Sequence, residues 1–224
     1  MSAVYGVVGA GGCGRGVMPL ARAQLESLGI EHCGLVFVDD ALAGRNVNGH
    51  RVLSHGQFLS EPATVRYAVV AVANAATRER IVSRCEADGV LPWSVAAGNI
   101  VMMDNVLIGD GAILSPFVTL TSNIVIGRHF QANLYSYVEH DCVIGDYVTF
   151  APSVRCNGNV NIEDYAYIGA GAVIKQGLAG APIVIGRGAV VGMGAVVTKS
   201  VLPGQTVVGN PAAILIKQGK SQQC

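Results

Sequence analysis

Three consecutive residues, Glu139-His140-Asp141, set an imidazole between two carboxylates. Histidine's reference pKa lies near neutrality, and a neighbouring carboxylate orients the ring and raises its basicity, so this triplet suits proton removal. Asn133 stands seven positions before the histidine. Near the start of the chain, Gly9-Ala-Gly11-Gly12-Cys13-Gly14 has the spacing GxGxxG ahead of a helical pattern. Backbone N–H groups at a helix N-terminus hold a diphosphate. With the acidic pair Asp39-Asp40 further on, the run taken alone reads as a dinucleotide site.

These residues need elements to hold them. An apolar strand is predicted at 4–8, then a helix over 15–29 with Val17, Leu20, Ala21, Leu25 and Leu28 on one face. Further strands are expected at 34–38 and 67–72, the latter leading into Ala73-Asn74 and a helix around 76–88. This is a small α/β Rossmann-like N-terminal domain over residues 1–97, with its binding crevice at the strand ends. The unit is about half a dinucleotide domain and no dehydrogenase catalytic domain follows, so a nucleotide diphosphate other than NAD fits better.

Stepping by six from Ile108 gives Leu114, Leu120, Ile126, Ala132, Val138, Ile144 and onward to Ile174, every residue apolar or small. A second apolar or small set, from Ala112 to Ala172, precedes it by two. The alternation of two and four is a strand step followed by a corner. Glycines after the leading aliphatic, such as Gly109, Gly127 and Gly145, are expected to serve the sharp corners. Phase breaks after Ile174 and resumes at Ile185, so a loop of five extra residues is expected around 175–182.

The chain is 51% hydrophobic and 13% charged, with 15 basic and 15 acidic residues. Neutrality gives no electrostatic reason for nucleic acid or an anionic membrane as partner. No apolar run approaches the ~20 residues of a membrane span. Six cysteines form no CxxC pair or metal-ligand cluster, so no metal and a reduced, cytoplasmic setting are expected. Low charge suggests that copies of the chain cover much of its surface. His32, His50, His55 and His129 are expected to be solvated.

The repeat resembles the hexapeptide-repeat acyltransferases. That resemblance implies a left-handed parallel β-helix over 98–217, with 18 residues per coil and a tail at 218–224. It also implies a homotrimer, with acetyl-CoA lying between neighbouring coils. Residues 3 to 217 together resemble the nucleotide-amino-sugar N-acetyltransferases of the PglD/NeuD type. The sharpest match is Asn133 through Glu139-His140-Asp141 to Gly145, and Val208-Gly-Asn-Pro-Ala212 matches the family's closing motif.

The resemblance implies His140 as general base, Asp141 as its helper and Asn133 close by, in active sites between subunits. Gly11, Gly12, Cys13, Asp39, Asp40, Ala73 and Asn74 would bind the nucleotide-linked amino sugar. Cys13 stands where many members have histidine, and Ala73 where glycine is common. Thr149, at a position where some members carry a second histidine, would meet acetyl-CoA, as would Gly169-Ala170 and Gly192-Met193. The implied reaction is direct N-acetylation, without an acyl-enzyme, of what is expected to be a 4-amino-4,6-dideoxy sugar for surface-glycan assembly. O-acetylation of a sialic-acid-like sugar, a non-catalytic nucleotide-sugar scaffold and a nicotinamide oxidoreductase are the alternatives.

Overall fold

The computed structural model describes residues 3–30 and 34–216. His32, Cys33 and the expected tail at 218–224 lie outside the described residues. The chain opens with β1 (Ala3–Val8), α1 (Gly12–Ser27), β2 (Leu35–Val38), β3 (Asn46–Val47) and β4 (His50–Leu53). It continues with α2 (His55–Ser60), β5 (Val65–Val70), α3 (Ala75–Ala87) and β6 (Leu91–Pro92). The strands form one sheet in the order β3-β4-β2-β1-β5-β6, parallel except for the β3–β4 hairpin. β1 and β2 are almost wholly buried, which is why they read as continuous apolar runs.

Two local expectations change. Helix α1 starts at Gly12, three residues early, because the glycine run forms its first turn. A Cβ on Gly14 would collide with the Gly9 carbonyl, so glycine lets the helix sit against the loop that precedes it. The stretch at 41–62, for which no element is expected, holds β3, β4 and α2. Ser54 and Gln57 form a capping box on α2, and Phe58 is fully buried under it.

From Val95 the chain winds as a left-handed parallel β-helix with three faces. Strands on one face pair at 18-residue intervals, as in Ile113↔Gln131, Gln131↔Thr149 and Thr149↔Tyr167. This first face is followed in each coil by a second, carrying Thr119–Leu120 and Tyr137–Val138. A third carries Ile124–Ile126 and Val143–Ile144. Both predicted apolar ladders point inward, and from Leu114 to Ile174 they form one buried column. Ser136, the polar member, donates to the Ala151 carbonyl and accepts from the Val154 amide. Ile162 pairs with Ile185 where Ile144 pairs with Ile162, so the break at 175–182 extrudes five residues.

The corner glycines have a different role from the expected one. From Phe117 to Tyr165 every sixth residue has a positive φ of 54 to 64°, and none of these is glycine. Gly109, Gly127, Gly145 and Gly169 sit elsewhere in the turns, where a Cβ would strike the next coil. Coil-to-coil contact requires those glycines. The left-handed positions fall to Asn, Asp, His, Tyr, Phe and Ser.

Candidate active site

The α/β unit docks on the coil through α3 and α1. Tyr165 donates to Glu79 (2.6 Å), Arg128 pairs with Glu86, and Gln131 donates to the Val70 carbonyl (2.8 Å). His129, Tyr147 and Tyr165, left-handed corner residues one coil apart, stack at 5.2 and 5.6 Å beneath α3. Docking leaves a groove of about 570 Å³ between the α1 N-terminus and the first face of the coil. Gly12, Cys13, Ala73, Gln131, Asn133 and Thr149 line it. Five predicted site residues from distant parts of the chain thus meet there: Gly12 and Cys13 at the start of α1, Ala73 beyond β5, and Asn133 and Thr149 on the coil.

Cys13 is exposed, and desolvation raises its thiol pKa more than nearby Arg78 lowers it, so it meets the groove as a neutral thiol. Gly11 is the exposed N-cap of α1. Asn74 caps α3, its Oδ1 accepting from the Thr77 amide at 2.9 Å.

The acidic pair lies on a smaller cavity of about 200 Å³ across the strand ends, with Gly9, His55 and Arg84. Asp39 is committed internally: Oδ2 accepts from the Ala10 amide (3.0 Å) and Oδ1 from those of Ala41 and Leu42. It therefore holds the glycine loop in place. Asp40 accepts from the His55 amide (2.8 Å) and from Arg84 (3.0 Å), and these bonds hold its carboxyl below the usual carboxylate range.

His140 projects from the corner between the second and third faces, with 45% of its side chain exposed. Its Nδ1 lies 2.8 Å from Asp141 Oδ2; with Nδ1–H as the donor, the ring's lone pair is on Nε2. This bond raises the histidine's pKa above its ordinary value and lowers that of Asp141. Asp141 Oδ1 accepts from Asn123 (3.3 Å), whose own Oδ1 accepts from Asn105 (3.2 Å). Sequence reasoning missed these two asparagines. Their signal is the 18-residue spacing, which puts 105, 123 and 141 on one corner, all left-handed. Gly158 lies beneath the imidazole, where a Cβ would meet the ring.

Within one chain His140 and Asn133 are not together. Asn133 follows the first-face strand Gln131–Ala132, and His140 follows the second-face strand Tyr137–Val138, so one face separates them. Gly169-Ala170 and Gly192-Met193 continue the Asn133 corner in later coils, and Met193 is 81% exposed.

Thr149, expected to meet acetyl-CoA, has its hydroxyl engaged within the chain. Its hydroxyl donates to the Ala73 carbonyl (3.0 Å) and accepts from Arg78 (3.1 Å), so no hydroxyl hydrogen is left for acetyl-CoA. Two histidines expected to be solvated are buried. His55 lies 2.7 Å from Asp88 through Nε2. His129 is 2% exposed, neither of its ring nitrogens has a hydrogen-bond partner, and burial pushes its pKa down to about 4. Among the described residues no His, Cys, Asp or Glu cluster could hold a metal, and no helix is long and apolar enough to cross a membrane.

No protein-family model matches the chain. It is 54% identical over 213 residues to the GDP-perosamine N-acetyltransferase of Escherichia coli O157:H7, spanning 93% of this chain and 95% of that one. WeeI from Acinetobacter baumannii AYE superimposes with a TM-score of 0.93 at 56% identity, over 96% of this chain and all of that one. The acetyltransferase domain of PglB from Neisseria gonorrhoeae FA1090, in complex with acetyl coenzyme A, gives 0.84 at 29%, with the same coverage.

Proposed function

This chain belongs to the acetyl-CoA-dependent N-acetyltransferases of nucleotide-linked amino sugars, and from that premise we propose that it acetylates a GDP-linked 4-amino-4,6-dideoxy sugar with His140 as general base. GDP-perosamine, the substrate in the E. coli relative's name, is the first candidate. The observation that carries the reading is the His140–Asp141 bond, which orients an exposed imidazole with its basic nitrogen outward. As the sugar amine attacks the thioester carbonyl, a C–N bond forms and Nε2 takes the amine proton. The C–S bond then breaks and coenzyme A leaves as the thiol, with the proton returned to sulfur. No step needs an acyl-enzyme.

The Rossmann-like unit at 1–97 is the nucleotide-binding part, with the diphosphate at the Gly11-Gly12-Cys13 turn where α1 begins. The coil at 98–217 is the acetyl-transfer part. Acetyl-CoA runs along the corner ridge of Gly169-Ala170 and Gly192-Met193. A homotrimer would set His140 of one copy beside Asn133 and the groove of the next. That arrangement is supported by the separation of the two corners in a single chain and by the exposed aliphatics Leu107, Val125 and Val143 on the third face.

The test crosses acetyl-CoA with GDP-, UDP- and dTDP-linked 3- and 4-amino sugars and follows thiol release. The proposal expects turnover with the GDP-linked 4-amino sugar and a product that survives hydroxylamine, as an amide does. No release with any GDP-linked amino sugar, or a hydroxylamine-labile ester, would refute it.

A further inference from the structure

Arg78, in the first turn of α3, is completely buried, and among the described residues no carboxylate lies within salt-bridge distance of it. Its guanidinium bonds in two directions. Nη1 donates to the carbonyls of Val72 (2.7 Å) and Ala73 (3.1 Å), in the turn between β5 and α3. Nη2 donates to the Tyr147 carbonyl (2.6 Å) and to Thr149 Oγ1 (3.1 Å), on the first face of the coil. Nε has no partner. Burial lowers the pKa to about 10, which still leaves the group charged at neutral pH.

Burying an unpaired cation is costly, and apolar side chains would join two surfaces with less penalty. What a guanidinium adds is a planar fork that bonds two walls at once and fixes their spacing. Both elements belong to the groove: Ala73 and Thr149 line it, and the Thr149 hydroxyl bonds the Ala73 carbonyl where they meet. We propose that Arg78 is the positioning residue that clamps the 72–74 turn to the coil strand Thr149–Phe150 and so sets the groove in which the nucleotide sugar is held. The assignment rests on the groove being the nucleotide-sugar site.

The test compares wild-type protein with Arg78→Lys, Arg78→Met and Thr149→Val, measuring melting temperature and both KM values with the best substrate of the panel. The clamp predicts that Arg78→Met raises the nucleotide-sugar KM roughly ten- to a hundredfold while the acetyl-CoA KM holds. Arg78→Lys, which keeps the charge but not the fork, should fall between the two. A purely structural arginine would lower the melting temperature and the active fraction with both KM values unchanged, and that result overturns the clamp. If Arg78→Met does not fold, Thr149→Val decides. A raised nucleotide-sugar KM supports the clamp, whereas a rise confined to the acetyl-CoA KM makes Thr149 a cofactor contact and rejects it. Calorimetry with GDP, UDP and dTDP separates the two levels of argument. Nucleotide binding without turnover refutes only acetyl transfer, and unchanged binding in folded Arg78 variants refutes only the clamp.

Discussion

His129 and His140 are eleven residues apart on the same coil, and the fold treats them in opposite ways. His129 sits at a corner that α3 covers; it is stacked on Tyr147, with no partner at either nitrogen and its pKa pushed down to about 4. His140 sits at a corner that the α/β unit leaves open, bonded to a carboxylate at an adjacent left-handed residue, with its pKa raised. Side-chain type does not separate them. What separates them is which corner the first domain covers and whether an acid lies next in the chain. A solenoid with one dressed corner and one bare corner can therefore hold one histidine neutral and inert and keep the other basic.

The contrast is broken most severely at His140. His140→Ala should lower kcat about 10²- to 10⁴-fold, since the proton acceptor goes, with thermal unfolding unchanged because the ring is on the surface. Calorimetry beside thiol-release kinetics checks both halves.

At His129 the effect is on stability. Its folded pKa of about 4 lies below the ~6.5 of an unfolded histidine, so the unfolded chain protonates first. Stability is intact above about pH 6.5 and falls as pH drops toward 4, by on the order of 3 kcal/mol. His129→Phe, whose ring fits a left-handed aromatic ladder, should remove that loss, as read from denaturation at pH 7 and pH 4.5.

Asp141→Asn sharpens the other side. Without the carboxylate the His140 pKa falls back toward its ordinary value, so the acid limb of kcat/KM moves to lower pH and kcat drops roughly tenfold. The smallest effect is expected from Asn123→Gly, which keeps the left-handed backbone but removes the amide holding Asp141. It should shift the same limb in the same direction by less, with a roughly two- to threefold loss of kcat.

The coil was legible because its core positions obey a fixed period, and each inward residue from Leu114 to Ile174 is buried as read. His140 was legible because its partner is its neighbour in the chain. Arg78 and the His129–Tyr147–Tyr165 stack were not. Their roles depend on how α3 lands on the coil, and the hydrogen bonds that fix the landing span 42 to 86 residues. The loop role of Asp39 was not legible for a related reason: a carboxylate placed at the strand ends can be taken up by the amides of its own loop. The corner glycines misled because two physical needs, a left-handed backbone and a close approach between coils, give the same residue in sequence. In this coil only the second applies to Gly109, Gly127 and Gly145.

The most direct measurement runs His140→Ala and His129→Phe in parallel, following coenzyme A thiol release from acetyl-CoA with a GDP-linked 4-amino sugar at pH 7.5 to 8. The account predicts that kcat collapses in the first and stays within about twofold of wild type in the second. A folded His140→Ala protein that turns over at the wild-type rate would contradict it.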